Sequence, residues 1–133
     1  MDNNDEEQVT TNFTKVDALR PETSGHNIHV KVVSSKEVVN RAKGDGTKIR
    51  VNECLVGDDT GVVIFTAKNE QVDKVTEGKT LTLKNAKVEM YRGCVRLMVD
   101  KSGAVEDAEE GVDVKPKEDN NLSEVEYELI SIP

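Results

Sequence analysis

Apolar and polar residues alternate in short runs from His26 to Val99. Ile28, Val30 and Val32 fall on one face and His29 and Lys31 on the other, which predicts a long first strand over His26–Val39. Asn40–Lys48 follows, with Gly44, Asp45 and Gly46 marking a mobile hairpin loop. Ile49–Val56 reads as the second strand. Ile49, Val51 and Leu55 share one of its faces, and Arg50, Asn52 and Cys54 the other. Gly57-Asp58-Asp59-Thr60-Gly61 has the chemistry of a tight turn. Val62–Ala67 is almost wholly apolar, a third strand expected to be covered on both sides.

Asn69–Val75 then predicts a short helix. Asn69 suits its N-cap, Val72 and Val75 sit three apart, and Gly78 suits its stop. The fourth strand, Thr80–Met90, slips phase. Leu81 and Leu83 point one way, while Ala86, Val88 and Met90 continue on even positions, so a bulge or bend is expected near Lys84-Asn85. Tyr91-Arg92-Gly93 turns the chain into a fifth strand, Cys94–Val99.

The order strand, strand, strand, short helix, strand, strand suits an all-β, five-stranded Greek-key barrel of the OB-fold kind. Closure removes the edges that a flat sheet leaves open. The flanks differ in character. Residues 1–17 read as a disordered acidic tail and 18–104 as the OB-fold domain. Residues 105–120 read as an acidic linker. Residues 121–133 regain Val125, Tyr127, Leu129 and Ile130 and suit a segment docking back on the barrel.

Charge changes the picture. The chain of 133 residues carries a net −8, which by itself argues against a polyanionic partner. The charge is uneven, however. His26–Ala104 holds 14 Lys/Arg against 10 Asp/Glu, a net of +4, and the flanks hold 4 against 16, a net of −12. Only 35% of residues are hydrophobic and 3% aromatic, enough for one modest core. Cys54 and Cys94 form no CxxC pair and are too few for a disulfide framework. No secretory h-region or transmembrane-length apolar run appears, so a nuclear or cytoplasmic protein with reduced thiols and no membrane partner is expected.

Candidate chemistry is sparse. His26 and His29 lie three apart in a predicted strand and so face opposite ways, which disfavours a shared metal. Asp58 and Asp59 are accounted for by their turn. No Ser-His-Asp, Cys-His or phosphate-loop pattern is present. The reading is a non-enzyme with no cofactor, metal or small-molecule substrate. The basic residues tell more. OB folds bind on strands two and three, between the loops joining strands 1–2 and 4–5. Arg41, Lys43 and Lys48 lie in the first loop with Arg50 just after it; Lys87, Arg92 and Arg96 surround the second. Lysine and arginine are ordinary on exposed loops, but here they concentrate at both groove walls of an acidic protein.

Several motifs carry a family resemblance. Glu53-Cys54-Leu55-Val56-Gly57-Asp58-Asp59-Thr60-Gly61-Val62-Val63-Ile64 resembles the Asp-x-Thr-Gly turn of nucleic-acid-binding OB folds. Leu19-Arg20-Pro21, Glu77-Gly78-Lys79, Tyr91-Arg92-Gly93-Cys94 and Asn121-Leu122-Ser123-Glu124 narrow the likeness. Together they resemble the family of single-stranded DNA-binding proteins that serve in the SOSS complex, and more closely its plant single-domain OB-fold relatives. The resemblance spans about Leu19 to Glu124. It implies single-stranded DNA or RNA held by bases stacked on aromatic side chains. Tyr91 falls on one such position, and Lys68, Lys87 and Met98 fall on three others. The lost aromatics imply weaker binding with more phosphate contact, since each stacked base contributes about 1–3 kcal/mol. The site predicted is therefore Arg41, Lys43, Lys48, Arg50, Lys68, Lys87, Tyr91, Arg92 and Arg96. The scarcity of aromatics also leaves open an adaptor that binds a protein scaffold within a larger complex.

Overall fold

The computed structural model describes residues 13–127. Six strands form one sheet: β1 (His26–Ala42), β2 (Lys48–Asp58), β3 (Gly61–Lys68), β4 (Thr80–Tyr91), β5 (Cys94–Met98) and β6 (Ala104–Asp107). A single helical turn, α1 (Gln71–Lys74), joins β3 to β4. The sheet order is β1-β2-β3-β5-β4-β6, and β1 also pairs with β4, so the first five strands close into a ring. This is the expected OB barrel.

The ring closes because two strands are long enough to serve two neighbours. The first third of β1 pairs with β4 and the rest with β2. The first half of β4 pairs with β1 and the second half with β5. The hinge in β4 is Asn85, at φ +53. Asparagine is one of the few residues besides glycine that visit this left-handed region, and here its Nδ2 is held across the fold, donating to Ser102 O (3.1 Å) and Oγ (2.9 Å). The phase slip at Lys84-Asn85 is therefore this bend. Alternation sends Ile28, Val30, Val32, Cys54, Val56, Val63, Phe65, Val88, Val95 and Leu97 into the barrel, all at most 5% exposed. Phe65 is the one core aromatic, and truncating it to alanine costs about 3–5 kcal/mol.

The flanks do more than the sequence suggested. Of the acidic tail expected over 1–17, residues 1–12 lie outside the described residues. Val16, however, is fully buried in a 3-10 turn over Val16–Ala18. Its N–H donates to Asp58 Oδ2 at 3.0 Å. Asp58 also accepts Thr60 N (2.9 Å) and Oγ1 (2.6 Å), so this buried carboxylate is satisfied and ties the N-terminal arm to the β2–β3 turn. Residues 105–107, expected in a linker, belong to β6 against β4.

Residues 120–127 fill a seam. β3 and β5 pair only at Phe65 and Leu97, which leaves backbone groups below that point without ladder partners. Val62 N donates to Asn120 O (2.8 Å) and Ile64 N to Ser123 Oγ (2.9 Å). Ser123 Oγ donates to Val95 O (2.7 Å), and Tyr127 N to Gly93 O (2.8 Å). Leu122 is buried against the core. Residues 128–133 of the expected docking segment lie outside the described residues.

Helix α1 is shorter than Asn69–Val75. Asn69 sits at φ +56 and does not cap it; its Oδ1 accepts Arg50 N at 3.2 Å instead. The helix ends at Lys74, and Gly78 shapes the later turn into β4, where its N–H donates to Val32 O. The expected mobile loop after β1 is compact. Lys43 N donates to Thr47 O (2.6 Å), Gly46 N to Lys43 O (3.0 Å) and Thr47 N to Asp45 Oδ1 (2.9 Å). That last bond is also the largest cause of a lowered Asp45 pKa.

Candidate nucleic-acid interface

The outer face of the barrel follows from the same alternation that fills the core. On β2 the even residues Cys54 and Val56 are buried, so the odd residues Ile49, Val51, Glu53 and Leu55 face outward. Three of the four are apolar. The apolar stripe in this strand therefore lines the groove and not the core, which periodicity alone could not decide. Opposite Glu53 lie Lys36 of β1 and Thr66 of β3, and opposite Leu55 lies Ile64. On the far side Lys87 pairs with Met98, Glu89 with Arg96, and Tyr91 with Cys94. The face thus runs from the β1–β2 arm across β3 and β5 to the end of β4.

This face brings together Arg41, Lys68, Lys87, Tyr91, Arg96 and Met98, six residues separated widely in sequence. Arg41 is paired with Ile49 and lies at the arm's end; Lys68 is paired with Val51. Lys43 is in the loop at the arm's tip, and Arg92 is in the β4–β5 turn at φ +52. Two predicted residues are placed elsewhere. Lys48 and Arg50 are even residues of β2 and point to the reverse of the arm, around a shallow cavity with Asn40, Asn69 and Glu70. Arg50 makes a two-pronged pair with Asp73 of α1, Nη1–Oδ1 3.1 Å and Nη2–Oδ2 2.8 Å. The hydrogen bond from Arg50 holds the Asp73 carboxyl below its ordinary value.

The groove cations fall into two sets. Lys87 Nζ is 3.1 Å from Asp100 Oδ2. Asp100 is pushed down to about 2, first by the hydroxyl of Ser102 (2.6 Å), then by the Ser102 N–H (2.9 Å) and by Lys87. Arg96 Nη1 donates to Glu53 Oε2 at 2.6 Å, and its side chain is only 18% exposed. By contrast, Lys36, Arg41, Lys43, Lys68 and Arg92 make no salt bridge among the described residues. The paired set sits on the floor and the unpaired set around the rim.

Tyr91 is 47% exposed. The Arg96 guanidinium carbon stands 4.2 Å from its ring centroid and that of Arg92 5.2 Å. These are cation–π distances. Since Arg96 also reaches Glu53, a line of ring, guanidinium and carboxylate crosses the groove from β4 to β2. Met98 is 7% exposed at the end of β5, too covered to serve as a stacking surface. Of the other aromatics, Phe65 is in the core, and Phe13 stacks on His29 at 3.9 Å. Sequence reasoning missed Lys36, Glu53 and the apolar floor of Val51, Leu55 and Ile64. The signal was the β2 stripe, once the core face of that strand is known.

Among the described residues no group of three His, Cys, Asp or Glu is placed to hold a metal. His26 bonds Thr14 and Thr23, and His29 bonds Thr82. Burial lowers both histidine pKa values. Cys54 is buried, and burial raises its thiol pKa.

Residues 19–107 match the family model described as single-stranded DNA binding protein Ssb-like, OB fold. An uncharacterised protein of Arabidopsis thaliana is 43% identical over 129 residues, covering 90% of this chain and 84% of its own. The single-stranded DNA binding protein Ssb of Saccharolobus solfataricus is 27% identical over 96 residues, covering 72% of this chain and 64% of its own. The solution structure of a hypothetical Arabidopsis thaliana protein superposes with a TM-score of 0.77 at 40% identity, covering 93% of this chain and 91% of that one.

Proposed function

The chain belongs to the Ssb-like family of OB-fold single-stranded DNA-binding proteins, and from that premise we propose that it binds single-stranded nucleic acid along the β2–β3–β5–β4 face. Phosphates lie against the rim cations Lys36, Arg41, Lys43, Lys68 and Arg92, and bases lie over the floor with one stacked on Tyr91. The observation that carries this reading is the separation of rim cations with no salt bridge among the described residues from carboxylate-paired floor cations on one face. A polyanion gains most where a cation has no carboxylate to give up, and a carboxylate such as Glu53 repels phosphate from the floor.

The finer kinship with the single-stranded DNA-binding proteins of the SOSS complex is supported by the motifs at Leu19–Pro21, Glu77–Lys79, Tyr91–Cys94 and Asn121–Glu124. A second reading, an adaptor that binds a protein scaffold, draws on an edge of β1 that is free among the described residues. Its register runs on β2 to Ala42, but against β4 it ends at Lys31. Such an edge offers unpaired backbone groups to an added strand.

The test is fluorescence anisotropy with labelled single-stranded DNA and RNA oligomers at several salt concentrations. Saturable binding that weakens steeply with salt is expected, and the two sugars show which is preferred. No binding at low salt removes the nucleic-acid reading and favours the adaptor.

A further inference from the structure

We infer that the Glu53–Arg96 pair reads base identity, selecting guanine over thymine or uracil at the centre of the groove. The inference rests on the single-strand reading above and deepens it. Its basis is the unequal use of the two side chains. Among the described residues Arg96 makes one hydrogen bond, from Nη1 to Glu53 Oε2, so its Nε–H and Nη2–H groups are left for a ligand. Glu53 accepts that bond on Oε2 alone, with its side chain 30% exposed. The pair therefore presents an acceptor and a fork of donors side by side. The Tyr91 ring, 4.2 Å from the guanidinium carbon, packs against the fork and holds its orientation.

Base edges differ in how they answer this array. Guanine offers two adjacent donors, N1–H and N2–H, to a carboxylate, and two acceptors, O6 and N7, to an arginine. Thymine and uracil offer one donor, N3–H, flanked by two carbonyl oxygens that a carboxylate repels. A buried acceptor left without a donor is costly, so discrimination grows as the base covers the pair. Glu53 serves a second purpose in the same geometry. It engages the guanidinium that would otherwise take a phosphate, which keeps Arg96 directed at a base.

The experiment compares a labelled dT 15-mer with a 15-mer in which every third thymine is replaced by guanine, a spacing too sparse for quadruplexes. Wild-type protein is expected to bind the guanine-containing strand about 5- to 100-fold more tightly. Glu53→Gln is expected to reduce that ratio to below threefold and to tighten binding of dT, because Arg96 is released to phosphate. Circular dichroism and a thermal melt confirm that the variant is folded. Equal wild-type affinity for the two strands overturns base selection while leaving the single-strand reading intact. A ratio unchanged in Glu53→Gln overturns the role of this pair. Failure of the wild type to bind either strand overturns both.

Discussion

The rim and the floor of the groove carry the same kinds of side chain in different electrostatic states. At the rim, Arg41, Lys43, Lys68 and Arg92 project from strand ends and turns with no carboxylate partner among the described residues. On the floor, Lys87 and Arg96 are each matched by a carboxylate from another strand or the loop after β5. A count of basic residues treats the two sets alike. Their partners separate them: a rim cation loses only water and counterions on meeting a phosphate, whereas a floor cation must also leave an anion.

The largest effect is therefore expected at the rim. Reversing Arg41, Lys43, Lys68 and Arg92 together to glutamate is expected to weaken oligomer binding by about 100-fold or more at 0.1 M salt. Each lost phosphate contact removes about 0.7 from the log–log salt slope for a single strand, so the slope falls by up to about 3. Anisotropy titrations across a salt series measure both. An unchanged slope breaks the distinction between rim and floor. Next comes Tyr91→Ala, expected to cost about 1–3 kcal/mol of stacking, or about 5- to 150-fold in affinity. Because no charge is lost, its salt slope should match wild type; a changed slope shows that Arg92 or Arg96 had moved with the ring.

The difference between these regions also marks what the sequence could express. Strand order, the bend at Asn85 and the β2–β3 turn were legible because each is a local pattern: period-two alternation, a phase slip, an Asp-Gly cluster. Which face of β2 turns inward was not. Cys54 and Val56 go to the core while Ile49, Val51 and Leu55 line the groove, and both sets suit a strand. Arg50 was drawn into the predicted site by nearness in sequence to the first loop, although one residue along a strand reverses a side chain. The pairs Arg96–Glu53 and Lys87–Asp100 were illegible because their members lie on different elements. The flanks before residue 120 were less legible for a related reason. An acidic composition suggests a tail and a linker, yet Val16 and Val105 are single apolar anchors that bury against the barrel, as Leu122 does in the segment expected to dock there. Trimming 105–133 would remove Val105, Leu122 and the contacts that fill the seam between β3 and β5.

A gain of function sharpens the contrast. Asp100→Asn leaves Lys87 without its anion and adds one cation to the set available for phosphate. One extra contact is expected to raise affinity about fivefold at 0.1 M salt and to steepen the slope by about 0.7. The pH dependence follows from the same pair. The Asp100 carboxyl is depressed to about 2, below its ordinary 3.8. Its contribution to stability is full above the ordinary value and is lost as pH falls through about 2. Wild-type affinity between pH 5 and 8 should therefore carry no titration of Asp100, and thermal melts of wild type and Asp100→Asn should converge as pH falls towards 2. A wild-type affinity step near pH 6 points to a different group.

The smallest expected effect is at Arg50, and it tests the placement of the whole groove. Arg50 is as basic as Arg41 and nine residues away, but it faces the reverse of the arm. Both its Nη groups are occupied by Asp73, and Nη2 also donates to Asn69 O at 3.1 Å. A phosphate on the outward face meets Val51 and Lys68, not this guanidinium. Arg50→Ala is expected to leave affinity within twofold and the salt slope unchanged, while lowering the melting temperature slightly through the lost tie between β2 and α1. The Asp73 carboxyl should return towards its ordinary value, because the Arg50 hydrogen bond is what holds it down. A loss of binding comparable to that of a rim cation would mean that the nucleic acid wraps behind the arm. Partnered cations would then be as available as unpartnered ones, and the contrast between rim and floor would no longer predict where a phosphate sits.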